Sequence, residues 1–201
     1  MTADSARLLA PLYDGNLMLA PLGERDRDAL RTACAADPEI WAIYATNFGP
    51  PDFDRNFDAL LASPTRLPFA VLVDGVLVGM SAYLRLDLPG ETLEIGNTYL
   101  APHVRGSGLN GRMKTLMIEH AFACGFRRIE FRVDARNARS QAAVLKLGAV
   151  REGLLRAERV TWTGHVRDTA LFGLLRDDWK AQRAPLGLAG GGPLATKDMS
   201  G

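Results

Sequence analysis

The sequence predicts an α+β domain whose mixed, mostly antiparallel sheet of about seven strands is flanked by helices. Three observations predict it. Strand-like and helix-like stretches alternate in an irregular order: one strand, helices, three strands, helix, strand, helix, two strands. Two β-rich runs flank Asp74-Gly75, the preferred pair for a two-residue hairpin turn, so the central strands are antiparallel neighbours. "RRIEFRVD" (127–134) carries charge along one whole face, whereas strands of a wholly parallel sheet are covered on both sides.

The elements follow in order. "NLMLAP" (16–21) reads as a first strand. Helical patterns follow at "ERDRDALRTACAA" (24–36), at "DPEIWAIYA" (37–45) with Pro38 near its start, and at "FDRNFDALLAS" (53–63), closed by Pro64. "PFAVLVDGVLVGMSAYLRLD" (68–87) is the hairpin, and "ETLEIGNTYLA" (91–101) continues the meander after the turn at 88–90. From Leu109 to Cys124, apolar residues recur at helical spacing until Gly125 stops the helix. Asn137 is placed to cap a short helix that ends at Gly148. Two final strands, 149–162 and 165–175, meet at Thr163-Gly164. Residues 1–183 therefore form the domain, and the Gly/Pro-rich 184–201 reads as a flexible tail.

Composition narrows the function classes. The chain has 201 residues, 47% hydrophobic and 23% charged, with a net charge of +1. That balance offers no global field for nucleic acid or an anionic membrane. The two cysteines, Cys34 and Cys124, lie far apart, which gives neither a disulfide scaffold nor a thiolate metal site. No metal is expected. No apolar run approaches a membrane span, and the first residues lack a signal-peptide pattern. The expectation is a cytoplasmic protein.

The informative stretch is "LAPHVRGSGLNGRMK" (100–114), where Gly106, Gly108 and Gly111 spell G-x-G-x-x-G. A dinucleotide site would want an acidic residue about 20 positions on, and Glu130 and Asp134 qualify. Against it, the preceding strand belongs to an antiparallel meander, and residues 102–105 separate strand from glycine. A nicotinamide oxidoreductase thus stays only as a weaker alternative. No Gly-Lys-Ser/Thr follows, which excludes a Walker loop. What remains is a strand, a glycine turn and a helix N-terminus, the arrangement that receives a phosphate.

"LAPHVRGSGLNG" resembles the acetyl-CoA signature of the GNAT N-acetyltransferase superfamily, Arg/Gln-x-x-Gly-x-Gly/Ala, and "NARSQAAVLKLGAVREG" resembles its second cofactor motif. With "LEIGNTYLAP" and "GHVRDTALFGLLRDDW", the likeness is to the RimJ/RimL-type branch and runs from about Asn16 to Trp179. The resemblance implies acetyl-CoA as cosubstrate, a sheet splayed between the strands ending near Leu100 and Val133, and a primary amine as acceptor. A protein N-terminus or a small-molecule amine would fit. It also implies a homodimer. Leu100, Ala101 and Pro102 would bind pantetheine through their backbone. Arg105, Gly106, Ser107, Gly108, Leu109, Asn110 and Gly111 would wrap the pyrophosphate, and Asn137 and Ser140 would face the thioester. Among Arg127, Arg128, Arg132, Arg136 and Arg139 the 3′-phosphate would find its partner. Asn110 departs from the signature, which has a small residue there.

Transfer from a thioester to an amine needs a neutral amine and a stabilised thiolate. A lysine amine costs roughly 4–5 kcal/mol to deprotonate at neutral pH and an α-amine about 1. Glu94, between Leu93 and Ile95 on a strand, is the catalytic base candidate. Ser140 is the hydroxyl donor for the leaving thiolate. Trp41, Tyr44, Phe48, Tyr83 and Trp162 are candidates for an acceptor pocket. No nucleophilic triad is visible, so direct attack by the amine is preferred to an acyl-enzyme. A CoA-binding module without catalysis is the other alternative.

Overall fold

A computed structural model describes residues 3–183. The tail predicted at 184–201 lies outside the described residues. Strands β1 (Leu12–Asp14) and β2 (Leu17–Pro21) open the chain as a hairpin. Helix α1 (Arg27–Ala35), a 3₁₀ segment at Pro38–Ile43 and α2 (Phe53–Leu61) then cross one face. Next come β3 (Arg66–Val73), β4 (Val76–Asp87), β5 (Thr92–Leu100) and α3 (Leu109–Ala123). Strand β6 (Arg128–Asp134), α4 (Ala138–Lys146), β7 (Val150–Val160), β8 (Val166–Leu175) and α5 (Arg176–Arg183) complete the described chain.

The eight strands form one sheet in the order β1-β2-β3-β4-β5-β6-β8-β7, antiparallel except where β5 meets β6. Asp74 and Gly75 both have positive φ, 51° and 79°, as the predicted hairpin turn requires. The strand count exceeds the expected seven by β1. It pairs with β2 across a two-residue turn at Gly15-Asn16, with Asp14 already facing Leu17 and Gly15 at φ 56°. The helix expected at 37–45 is the 3₁₀ segment instead.

Two cores hold the sheet. Toward α3 lie Leu19, Phe69, Tyr83, Ile95, Met113, Met117, Ile129, Phe131 and Phe172. Toward α1 and α2 lie Leu30, Trp41, Phe53, Phe57, Met80 and Tyr99. Each large side chain so buried contributes roughly 1.5–3 kcal/mol, enough in sum to keep both faces closed around an interrupted centre.

That interruption positions everything that follows. β5 and β6 pair only at Thr92–Glu94 with Arg128–Glu130. Beyond this, β5 runs on to Leu100 bonded to β4, and β6 runs on to Asp134 bonded to β8. Each strand keeps its outer neighbour and loses its inner one. A bulge accompanies the parting: Asn97 and Thr98 together face Ser81, and Asn97 takes φ 51°. A bulge bends its strand and increases the local twist.

Candidate active site

A cavity of about 1050 Å³ runs through the parted strands. Its walls are Glu94–Thr98 and Leu100 from β5, Phe131–Asp134 from β6, and the start of α4. It reaches the glycine loop ahead of α3, and Tyr44, Phe48, Arg66, Arg85, Arg159 and Arg167 also line it.

The loop has the form of an anion cradle. Gly106 and Gly108 adopt φ 80° and 84°, a region that disfavours side chains, and open space lies where their Cβ atoms would stand. The first α3 helical bond runs from Arg112 N–H to the Gly108 carbonyl, so the amides of Asn110 and Gly111 ahead of it have no helical acceptor. These amides and the helix dipole suit a phosphate. Arg105 lines the cavity but turns inward. Its Nη1 is 2.5 Å from Asp37, its Nε donates to the Leu100 carbonyl at 2.8 Å, and its Nη2 is buried without a partner. The loop therefore offers an anion its backbone amides more than this guanidinium.

Of the predicted site residues, Glu94, Leu100, Arg105, Gly106, Gly108, Asn110, Asn137 and Ser140 line the cavity; Ala101, Pro102, Ser107, Leu109 and Gly111 do not. The reasons are local. The Ala101 amide donates to the Val78 carbonyl, and Pro102 opens a 3₁₀ turn. The Ser107 hydroxyl donates to the Val104 carbonyl, and the Leu109 side chain enters the core. Gly111 faces solvent from the outer side of α3.

Among the arginines considered for the 3′-phosphate, Arg128 is held by Glu130 and Glu152, Arg132 by Glu130, and Arg136 by Asp134. Arg127 Nε donates to the Gly90 carbonyl. Arg139 lines the cavity and forms no ion pair among the described residues. Of the aromatics, Tyr44 and Phe48 reach the cavity, whereas Trp41 and Tyr83 are core and Trp162 caps Trp41 from outside through Nε1–H to its carbonyl.

Glu94 is 7% exposed, with Oε2 at 3.1 Å from Arg85 Nε and 3.7 Å from Arg132 Nε. Burial pushes its carboxyl above the ordinary range, while the Arg85 and Arg132 charges pull the other way. A carboxylate so raised is a better base at neutral pH than an exposed one. Asn137 spends its side-chain oxygen on the Ser140 amide at 2.9 Å, capping α4. The Ser140 hydroxyl makes no hydrogen bond among the described residues and borders the cavity. Cys34 and Cys124 are buried away from it, and burial raises both thiols, Cys34 to about 12. Among the described residues no cluster of His, Cys, Asp and Glu is arranged to hold a metal ion, and no helix is long and apolar enough to cross a membrane.

The cavity also takes in Arg66, Arg85, Arg159 and Lys114, which no pattern in the sequence singles out as site residues. Lys114, on α3, is 6% exposed; Nζ donates to Thr98 Oγ1 at 2.5 Å and to Ser81 Oγ at 3.4 Å.

Comparison with known proteins agrees with this geometry. The chain resembles a probable acetyltransferase of the GNAT family from Chromobacterium violaceum at 29% identity and TM-score 0.81, over 89% of this chain and 97% of that one. It resembles a GCN5-related N-acetyltransferase from Brucella melitensis at 25% identity and TM-score 0.83, over 90% and 85%. The RimJ of Mycobacterium smegmatis, in complex with CoA-disulfide, shares the fold at 22% identity and TM-score 0.71, over 84% and 87%. Residues 16–150 match the acetyltransferase (GNAT) domain model. A sheet parted beside a glycine-led helix, with that match across its centre, makes this chain a member of the GNAT acetyltransferase family.

Proposed function

We propose that the protein moves the acetyl group of acetyl-CoA directly to a primary amine, with a protein N-terminus or a small-molecule amine as acceptor, in the manner of the RimJ/RimL-type branch. The observation that carries this is the cavity through the parted strands, with a phosphate cradle at one end and a buried carboxylate along its wall. The amides ahead of α3 receive the pyrophosphate, the gap between β5 and β6 takes the pantetheine, and Arg139 is the cation for the 3′-phosphate. Glu94 takes a proton from the attacking amine, directly or through water. The C–N bond forms as the C–S bond breaks, and the Ser140 hydroxyl hydrogen-bonds the departing sulfur. Neither thiol borders the cavity, which favours direct attack over a cysteine acyl-enzyme.

The test is turnover. The protein is incubated with acetyl-CoA and a panel of N-terminal peptides, aminoglycoside-like amines and free amino acids, with thiol release and product mass as readouts. Acetyl amide forming on at least one amine is the expected result. Saturable acetyl-CoA binding without transfer to any amine would favour the non-catalytic module.

A further inference from the structure

Lys114 has no part in the mechanism above, yet it occupies the centre of the site. Its Nζ bonds Thr98 on β5 and stands 6.0 Å from the Phe131 ring on β6. Those residues lie beyond Glu94 and Glu130, the last pair to bridge the two strands, so the amine sits in the open wedge of the sheet. The groups facing it are Ser81 from β4, Thr98 and the Glu94 charge from β5, and Phe131 from β6.

Burying an ammonium without a carboxylate is costly, by several kcal/mol even after relaxation. Lys114 forms no ion pair among the described residues; two hydroxyls are its hydrogen-bond partners. Burial accordingly pushes it down to about 7, against the pull of Glu94. The choice of residue is also telling. Twenty of the chain's cationic side chains are arginine and four are lysine, and the wedge holds a lysine. An arginine there would keep its proton, whereas a desolvated lysine can release one.

We propose that Lys114 is a catalytic residue whose ammonium protonates the sulfur of CoA as the thioester breaks, an inference that rests on the acetyl-transfer function proposed above. A serine hydroxyl donates a hydrogen bond but keeps its proton at neutral pH, so Ser140 alone leaves a thiolate. The electron pair of the C–S bond goes to sulfur, Lys114 supplies the proton, and CoA leaves as a thiol with Lys114 as a neutral amine. The acceptor gives its proton to Glu94 as the C–N bond forms. That proton then returns to Lys114 through solvent in the cavity, which restores both groups.

The experiment follows the lysines of the full chain by ¹³C NMR against pH, with and without CoA. It is joined to kinetics of Lys114→Met and Lys114→Arg. The Lys114 signal is expected to titrate near pH 7, apart from the other three, and its midpoint should rise when CoA binds. Lys114→Met should lower kcat about 100-fold with KM for acetyl-CoA within about threefold, and should abolish the basic limb of the kcat–pH profile. Lys114→Arg keeps charge and hydrogen bonds but cannot release a proton, so its kcat should fall about as far. A merely structural role predicts rescue by arginine, and rescue would overturn the proposal. So would a Lys114 midpoint grouped with the other lysines, or one indifferent to saturating CoA. The wild-type titration decides the matter even if both variants fail to fold. If CoA leaves the thermal midpoint of the protein unchanged, the acetyltransferase function itself fails, which is a separate result.

Discussion

Glu94 and Lys114 border one cavity, and burial moves both toward neutrality from opposite ends, the carboxyl up and the amine down. Groups whose environments tune them this way carry acid–base chemistry. Because the base must be ionised, kcat should climb with pH through the raised value of Glu94. Glu94→Gln should flatten that acidic limb and lower kcat by roughly 10²–10³, with the acetyl-CoA-induced thermal shift retained; steady-state kinetics across pH is the check. Stability follows Lys114 in the other direction. Its folded value near 7 lies below the unfolded value of about 10.4, so between them the unfolded chain binds more protons. This group therefore makes folding less favourable as pH falls across that window. Lys114→Met should raise Tm at pH 7 by at least about 3 °C, with the gain vanishing near pH 10.5; calorimetry at the two pH values measures it. Glu94 was legible in the sequence because strand alternation turns it away from Leu93 and Ile95. Lys114 was not, because a lysine on a helix ordinarily reads as solvated, and only the wedge shows why this one is enclosed.

At the scale of elements, the proposed function makes the glycine loop and α3 one anion site. Gly108 takes φ 84° at the N-terminus of the helix, with nothing within 4 Å of where a Cβ would stand. Alanine there adds backbone strain of about 1 kcal/mol without a clash in the free protein. Its methyl group would, however, stand where the phosphate approaches. Gly108→Ala should weaken acetyl-CoA binding about tenfold, by calorimetric titration, while kcat at saturation changes less than threefold. The hairpin at Asp74-Gly75 was readable because long β-rich runs flank it. The turn at Gly15-Asn16 carries no such signal, because β1 has only three residues, too few for a periodic pattern. The bulge at Asn97 leaves no such mark, since its positive φ arises from the parting of two strands distant in sequence.

For the whole molecule, the sheet order sets the function. β5 and β6 are the only parallel neighbours in the described sheet, and they separate after three paired residues while each stays bonded to an antiparallel partner. The split thus has each arm held from its outer side by an antiparallel partner. Its existence was legible only through the family resemblance; periodicity predicts strands but not where one stops pairing with its neighbour. The most direct test of the central claim is a thermal-shift titration with acetyl-CoA, run beside NAD and NADP. At a hundred times its dissociation constant a ligand adds about 2.7 kcal/mol, which for a chain of this size raises Tm by roughly 5–10 °C. A rise of that size with acetyl-CoA and none with the nicotinamide cofactors is the predicted result. A rise with NAD and none with acetyl-CoA would contradict it.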